Sequence, residues 1–273
     1  MRLGQNDKKD AEKILGNCFS TLILFSAALT LIFLLSKGML LHWFGASDVT
    51  YPYANTYLTI YTCGTFFALL SMGMNYFITA QGYPLLGMVT TLIGAILNII
   101  LDPLFIFVFH MDIAGAAVAT VLAQLASCIF VLCVLYRKSM PVPLHLRRPD
   151  PVLVKRILAL GFSPFLILAT DSITIIAMNA VLQYHGGPGY GDTLITCATI
   201  VQSYMMLITS PMLGITGGSQ PLISFNYGAS KPERIRKIVF CVLMLCIGFT
   251  SFMFLVSRFL PAAFAGIFTN NAE

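Results

Sequence analysis

Charge is scarce in this sequence. Asp, Glu, Lys and Arg make up only 10% of its 273 residues, against about 25% in a soluble domain. That shortage excludes an ordinary water-soluble globule. Metal-ligand patterns are also missing. The seven cysteines lie at 18, 63, 128, 133, 197, 241 and 246 with no CxxC pair, and the four histidines are far apart. No zinc spacing exists, and the thiols read as small groups in helix packing. There is no Walker motif and no nucleophile paired with a base at a readable spacing, so enzymatic chemistry and a cofactor have no support. Energy for any transport would come from an ion gradient. The glycine-dense "GGPGYG" at 186–191 follows no strand, which argues against a nucleotide loop. The N-terminal "MRLGQNDKKDAEKILG" mixes acids with bases and leads into an apolar stretch long enough to span, unlike a secretory signal.

What the chain has in abundance is apolar residues, 58% of the total with a mean hydropathy of +0.84. They come in runs of about twenty or more, the length that crosses the hydrocarbon of a bilayer. The fold class is therefore all-α, a polytopic transmembrane helical bundle. Seven spans are expected, near 15–36, 54–79, 85–109, 113–136, 156–182, 193–222 and 237–260. Of sixteen Lys and Arg, fourteen fall before the first span, in the fourth break or in the sixth. Those regions share one side, which the positive-inside rule makes cytoplasmic. The expectation is a multi-pass protein of the plasma (inner) membrane with a cytoplasmic N-terminus, and an odd number of spans puts the C-terminus outside. A seven-helix receptor would have the opposite orientation.

The organisation hints at a repeat. Laid without gaps over 225–273, residues 1–49 match at only seven positions, among them Gly4 with Gly228 and "KI" at 13–14 with "KI" at 237–238. Both copies have a Gly-containing basic turn, an apolar span and an aromatic-rich exit. The first span thus resembles the seventh, and the repeat unit is six spans. Residues 1–136 form one portion of four spans, and 156–273 another of three. Between them, 137–155 reads as an extended, Pro-rich basic linker near lipid headgroups, with nucleic acid an improbable partner. The sixth span contains Pro211, Gly214, Gly217, Gly218 and Pro221, so a kink or break is expected there.

Two acids lie inside spans. Asp102 sits in "NIILDPLFIF", four residues after Asn98 and on the same helix face, with Thr90 and Gly94 continuing the row. Eight residues separate Asp102 from the outer turn near His110, roughly 12 Å by helical rise. Eight residues into the next helix from Asp112 comes Thr120 at the same depth, and Gln124 follows one turn deeper. Asn98, Asp102 and Thr120 can offer three oxygens to Na⁺ or hold a transferable proton. Alternatively, a protonated Asp102 serves as interhelical glue. Pro103 carries no N–H for the carbonyl of residue 99, which leaves one more candidate oxygen. Asp171, flanked by Thr170, Ser172 and Thr174, is the second acid. Asp171 and Gln124 are candidates for a cavity wall or a second ion site. Lys37 and Arg258 fall near the outer interface, so a cavity with acids and no bases would favour cations.

Here the chain resembles a known family. "ITAQGYPLLGMVTTLIGAILNIILDPLFIF" followed by "DIAGAAVATVLAQ" is similar to the fifth and sixth helices of MATE (multidrug and toxic compound extrusion) transporters. "GITGGSQPLISFNYGASKPERIRKI" resembles the stretch leading out of their eighth. The resemblance covers essentially the whole chain, from the turn after the family's second helix to the end of its ninth. It implies a two-lobe, twelve-helix plan and export of organic cations in exchange for Na⁺ or H⁺. It also implies an ion site of an Asn and an Asp four apart and a Thr eighteen later, which Asn98, Asp102 and Thr120 match. In some sodium-coupled members an acid follows a Gly by ten residues, as Asp171 follows Gly161. The family's first helix adds another Asp to the ion site, and no counterpart lies within these residues, so the chain is expected to be a fragment. Competing readings are a lipid-linked oligosaccharide or polysaccharide flippase of the same superfamily and a non-transporting truncated product. Substrate identity and oligomeric state are open at this level.

Overall fold

The computed structural model describes residues 1–43 and 51–259. Their helices are α1 (Lys8–Trp43), α2 (Tyr51–Ala80), α3 (Pro84–Pro103), α4 (Asp112–Leu135), α5 (Pro151–Gly228) and α6 (Pro232–Phe259). A π-helical turn, Leu104–Val108, directly extends α3. No strand occurs among the described residues. Among the described residues, seven stretches are long and apolar enough to cross a membrane, α5 holding two of them, Pro151–Gly186 and Cys197–Gly228. The fold is all-α and polytopic, as expected.

Two expected interruptions of the helical backbone need correction. The break expected between the fifth and sixth spans, around "LQYHGGPGYGD", does not interrupt the helical backbone, and neither does Pro211. Pro211 lies well inside α5, where its missing N–H costs one hydrogen bond and its ring crowds the preceding turn, yet the residues on either side stay helical. Two spans can therefore follow one another with no residue leaving helical geometry. The aromatic-rich exits compared in the repeat, 44–49 and 260–273, lie outside the described residues.

The repeat itself reappears in the turns. Three turns carry the same pair of bonds, the six-to-one and five-to-two pattern that satisfies orphan carbonyls at helix ends. After α2 these are Tyr83 N–H to Ile78 O at 3.3 Å and Gly82 N–H to Thr79 O at 3.0 Å, with Gly82 at φ +95°. Before α1, Asp7 N–H meets Arg2 O at 3.0 Å and Asn6 N–H meets Leu3 O at 3.1 Å, with Asn6 at φ 61°. Before α6, Lys231 N–H meets Asn226 O at 3.0 Å and Ser230 N–H meets Tyr227 O at 3.1 Å, with Ser230 at φ 54°. The last two turns superpose residue for residue in the ungapped register that pairs Gly4 with Gly228.

The chain divides into two units, Met1–Arg156 and Ile157–Glu273. In the first, α2 packs against α1, α3 and α4, and α3 packs on α4. Its core joins Leu15 and Phe19 of α1, Leu70, Met74 and Ile78 of α2, and Cys128, Val131, Val134 and Leu135 of α4. Glycines set the close approaches: a Cβ on Gly73 would lie 2.7 Å from Leu22 of α1, and one on Gly115 only 2.9 Å from the backbone of Phe105. Gly115 thus makes room for the π turn. Met140, Val142 and Leu144 join the same core from the segment after α4, which has no regular secondary structure but is seated on the unit. In the second unit α5 and α6 are largely exposed, and the Tyr204 hydroxyl of α5 donates to Met253 O of α6 at 2.7 Å.

Candidate functional site

The α3 row faces α4. Ser127 donates to the carbonyl of Thr90 at 3.1 Å, and its hydroxyl lies 2.7 Å from where a Cβ of Gly94 would sit. Two turns further toward the His110 turn, the Asn98 amide Nδ2 donates to Asp102 Oδ1 at 3.2 Å and to Thr120 Oγ1 at 3.2 Å. The Thr120 hydroxyl donates in turn to Ala116 O at 2.9 Å. Asn98, Asp102 and Thr120 therefore meet at one point between α3 and α4. The short turn at His110 and Asp112, both with positive φ, brings them to a common depth.

This geometry bears on both readings of the acid. With the amide nitrogen facing inward, Asn98 ties the carboxylate to the hydroxyl, which is the arrangement of glue. An amide carries its oxygen on the opposite arm. A half-turn of that group would present three oxygens to a cation, from an amide, a carboxylate and a hydroxyl. No group of three or more His, Cys, Asp or Glu side chains gathers among the described residues. A donor set with one acid suits a monovalent cation better than a divalent one, which gathers more oxygens and more charge.

Sequence reasoning missed the wall contributed by α2. Tyr57 lies within electrostatic reach of Asp102. Its ring stacks on that of Tyr61, with centroids 5.7 Å apart and planes 12° from parallel. Tyr57 also lines an open apolar hollow with Leu41, Tyr53, Ala54, Leu58 and Ile113. One turn beyond Tyr61, Gly64 meets Gln124, whose Oε1 is buried without a hydrogen-bond partner 2.9 Å from a would-be Cβ. The available signal was the spacing 57, 61, 64, one helix face ending in a glycine.

Other expected residues are not drawn to this point. Asp171 is exposed on α5 in the second unit, as is Gly161, around which a Cβ would find open space. Lys37 donates from Nζ to Thr59 Oγ1 at 2.7 Å, tying α1 to α2. All seven cysteines are free thiols.

The family model for MatE matches residues 1–104 and 167–273. Among curated relatives, Multidrug export protein MepA of Staphylococcus saprophyticus is 25% identical over 252 residues, covering 92% of this chain and 54% of its own length. MepA of Staphylococcus aureus is 28% identical over 205 residues, covering 73% and 44%. The chain thus spans about half the length of the curated relatives it matches. A solved structure of the MATE multidrug transporter DinF-BH shares 31% identity with a TM-score of 0.86, covering all of this chain and 60% of that one. A MOP superfamily transporter from Pyrococcus furiosus has the same fold, with a TM-score of 0.89 at 23% identity. The family model covers well over half of this sequence, and on that coverage the chain belongs to the MatE family of membrane transporters.

Proposed function

We propose that this chain is part of a cation-coupled multidrug antiporter that exports organic cations in exchange for Na⁺ or H⁺. Asn98, Asp102 and Thr120 form the site of the coupling cation. The observation that carries this reading is the convergence of the Asn98 amide on Asp102 and Thr120 within a membrane-length helix pair. An acid there costs a few kcal/mol at mid-membrane on insertion scales and is retained where it has work to do. The multidrug export named for the MepA relatives supports the substrate class. In this mechanism Asp102 binds the cation when the site faces outward and releases it inward, and the two lobes rock between these states. The free energy of cation entry drives substrate out. Gln124, with its orphan oxygen one turn inward, is a second stop for the cation, and Asp171 lines the substrate path. The protein is multi-pass, in the plasma membrane, with its N-terminus in the cytoplasm.

The test uses protein expressed from its complete gene and reconstituted in proteoliposomes. Imposed Na⁺ or H⁺ gradients should drive ethidium movement, and one of the two ions should suffice. Translocation of a lipid-linked oligosaccharide with no ethidium flux would overturn the antiporter reading in favour of a flippase.

A further inference from the structure

The segment between α4 and α5 is more than a connection. From Met140 to Leu144 every second residue is buried, with Pro141 and Pro143 between them restricting the backbone as it bends at 140–142 and then runs on without regular structure. Val142 N–H donates to Gln81 Oε1 at 2.9 Å, and Leu144 N–H to Leu135 O at 2.8 Å. The chain then runs along α1. The carbonyl of His145 lies against Gly16, where a Cβ would come within 2.6 Å of it. Ser20 Oγ donates to Arg147 O, and the Arg147 guanidinium pairs with Glu12 at 3.1 Å. Finally, Asp150 N–H donates to Asn17 Oδ1 at 2.6 Å, while Asp150 Oδ1 caps α5 by accepting from Val152 N–H at 2.9 Å. Asn17 is 3% exposed and its Nδ2 is held by Lys13 O at 2.8 Å, so its oxygen is aimed by a second bond.

The repeat provides an internal control. In the register that pairs Gly4 with Gly228, the α6 counterparts of Gly16, Asn17 and Ser20 are Phe240, Cys241 and Met244. Phe240 is 61% and Met244 50% exposed. A phenylalanine at the close-approach position would exclude a strand of backbone, and neither Cys nor Met offers the oxygen that Asn17 or Ser20 supplies. The seat on α1 is therefore a departure from the repeat and not a general property of this helix.

We propose that residues 140–150 act as a strap that stays seated on α1, with Asn17 as the positioning residue that fixes Asp150 and hence the start of α5. Displacement of α1 is passed through Asn17 and Asp150 to the helix that leads into the second unit. Only the efflux arm of the test rests on the antiporter reading. In full-length protein, Asn17→Ala should raise amide exchange at 150–154 about tenfold, the effect of losing one such bond, and leave 116–124 unchanged. Efflux should fall by a similar factor. With the seven native cysteines replaced, a short bis-thiol linker joining Glu12→Cys to Arg147→Cys should leave efflux at the level of the unlinked protein and restore it in Asn17→Ala. Exchange at 150–154 that does not respond to Asn17→Ala would overturn the proposal, and so would a linker that stops efflux. Asp102→Asn run in parallel separates the two ideas, because it should stop efflux with exchange at 150–154 as in the parent. If the parent itself shows no efflux, the transport reading fails and the exchange arm alone decides the strap.

Discussion

Asp102 is the residue on which glue and ion site make different predictions. Asp102→Asn keeps a partner for the Asn98 amide and removes only the ionisable group. Glue predicts little change. The antiporter reading predicts that gradient-driven ethidium efflux falls to background while expression and thermal stability in detergent stay within about 1 kcal/mol of the parent. Thr120 divides the readings further. Thr120→Ser retains the oxygen and should transport, whereas Thr120→Val keeps the shape and should weaken cation binding about tenfold, read as the concentration giving half-maximal efflux. That these three side chains share a point was legible in the sequence, because two facts suffice to place them. Four-residue spacing shares a helix face, and a short turn lets depth be counted from both sides of His110. Tyr57 was not legible. Among eleven tyrosines, the one within electrostatic reach of the acid is set by the rotation of α2 about its axis, and α2 turns on where Gly64 and Gly73 admit its neighbours.

Turns and helix ends reveal what composition hid. Seven identical positions in a biased sequence say little, yet the two turns before α1 and α6 carry the same bonds in the same register. Backbone geometry persists where side chains diverge, because the turn asks only that its penultimate residue accept a positive φ. Gly82 accepts it without cost, Asn6 with little, and Ser230 with a Cβ against a carbonyl. Ser230→Gly should therefore stabilise the protein by about 1 kcal/mol, seen as a higher midpoint of thermal unfolding in detergent. An unchanged or lower midpoint would mean the serine is not strained. The expected break within α5 failed for the opposite reason. Proline and glycine were read as interrupting a helix, and each does weaken one, proline through a lost donor and a ring clash, yet the backbone stays helical across them. The segment after α4 is irregular, with bends at 140–142 beside its prolines. Its seating was missed because Gly16, Asn17 and Ser20 look like ordinary small residues of a membrane helix until the segment that covers them is in place.

The first unit, taken whole, is polar at its ends and sorted by charge. Glu12 to Arg147, Gln81 to Val142 and Leu135 to Leu144 gather the start of α1, the ends of α2 and α4, and the strap at one end. Every Lys and Arg of this unit except Lys37 belongs to those segments, to the residues between α4 and the strap, to the turn before α1 or to the first turns of α5. At the other end are the π turn, His110 and Asp112, and Lys37 is held there by Thr59. Basic residues on short loops stay on the cytoplasmic side because moving them across is unfavourable during insertion. The strapped end should therefore face the cytoplasm and the His110 turn the outside. The measurement is labelling of single cysteines with a membrane-impermeant thiol reagent, on a background lacking the native seven. Lys9→Cys should react only after the membrane is opened, and His110→Cys in intact cells. Reversed labelling would put the Asn98–Asp102–Thr120 cluster nearer the cytoplasmic face, and the cation would then enter from the side on which an exporter must release it.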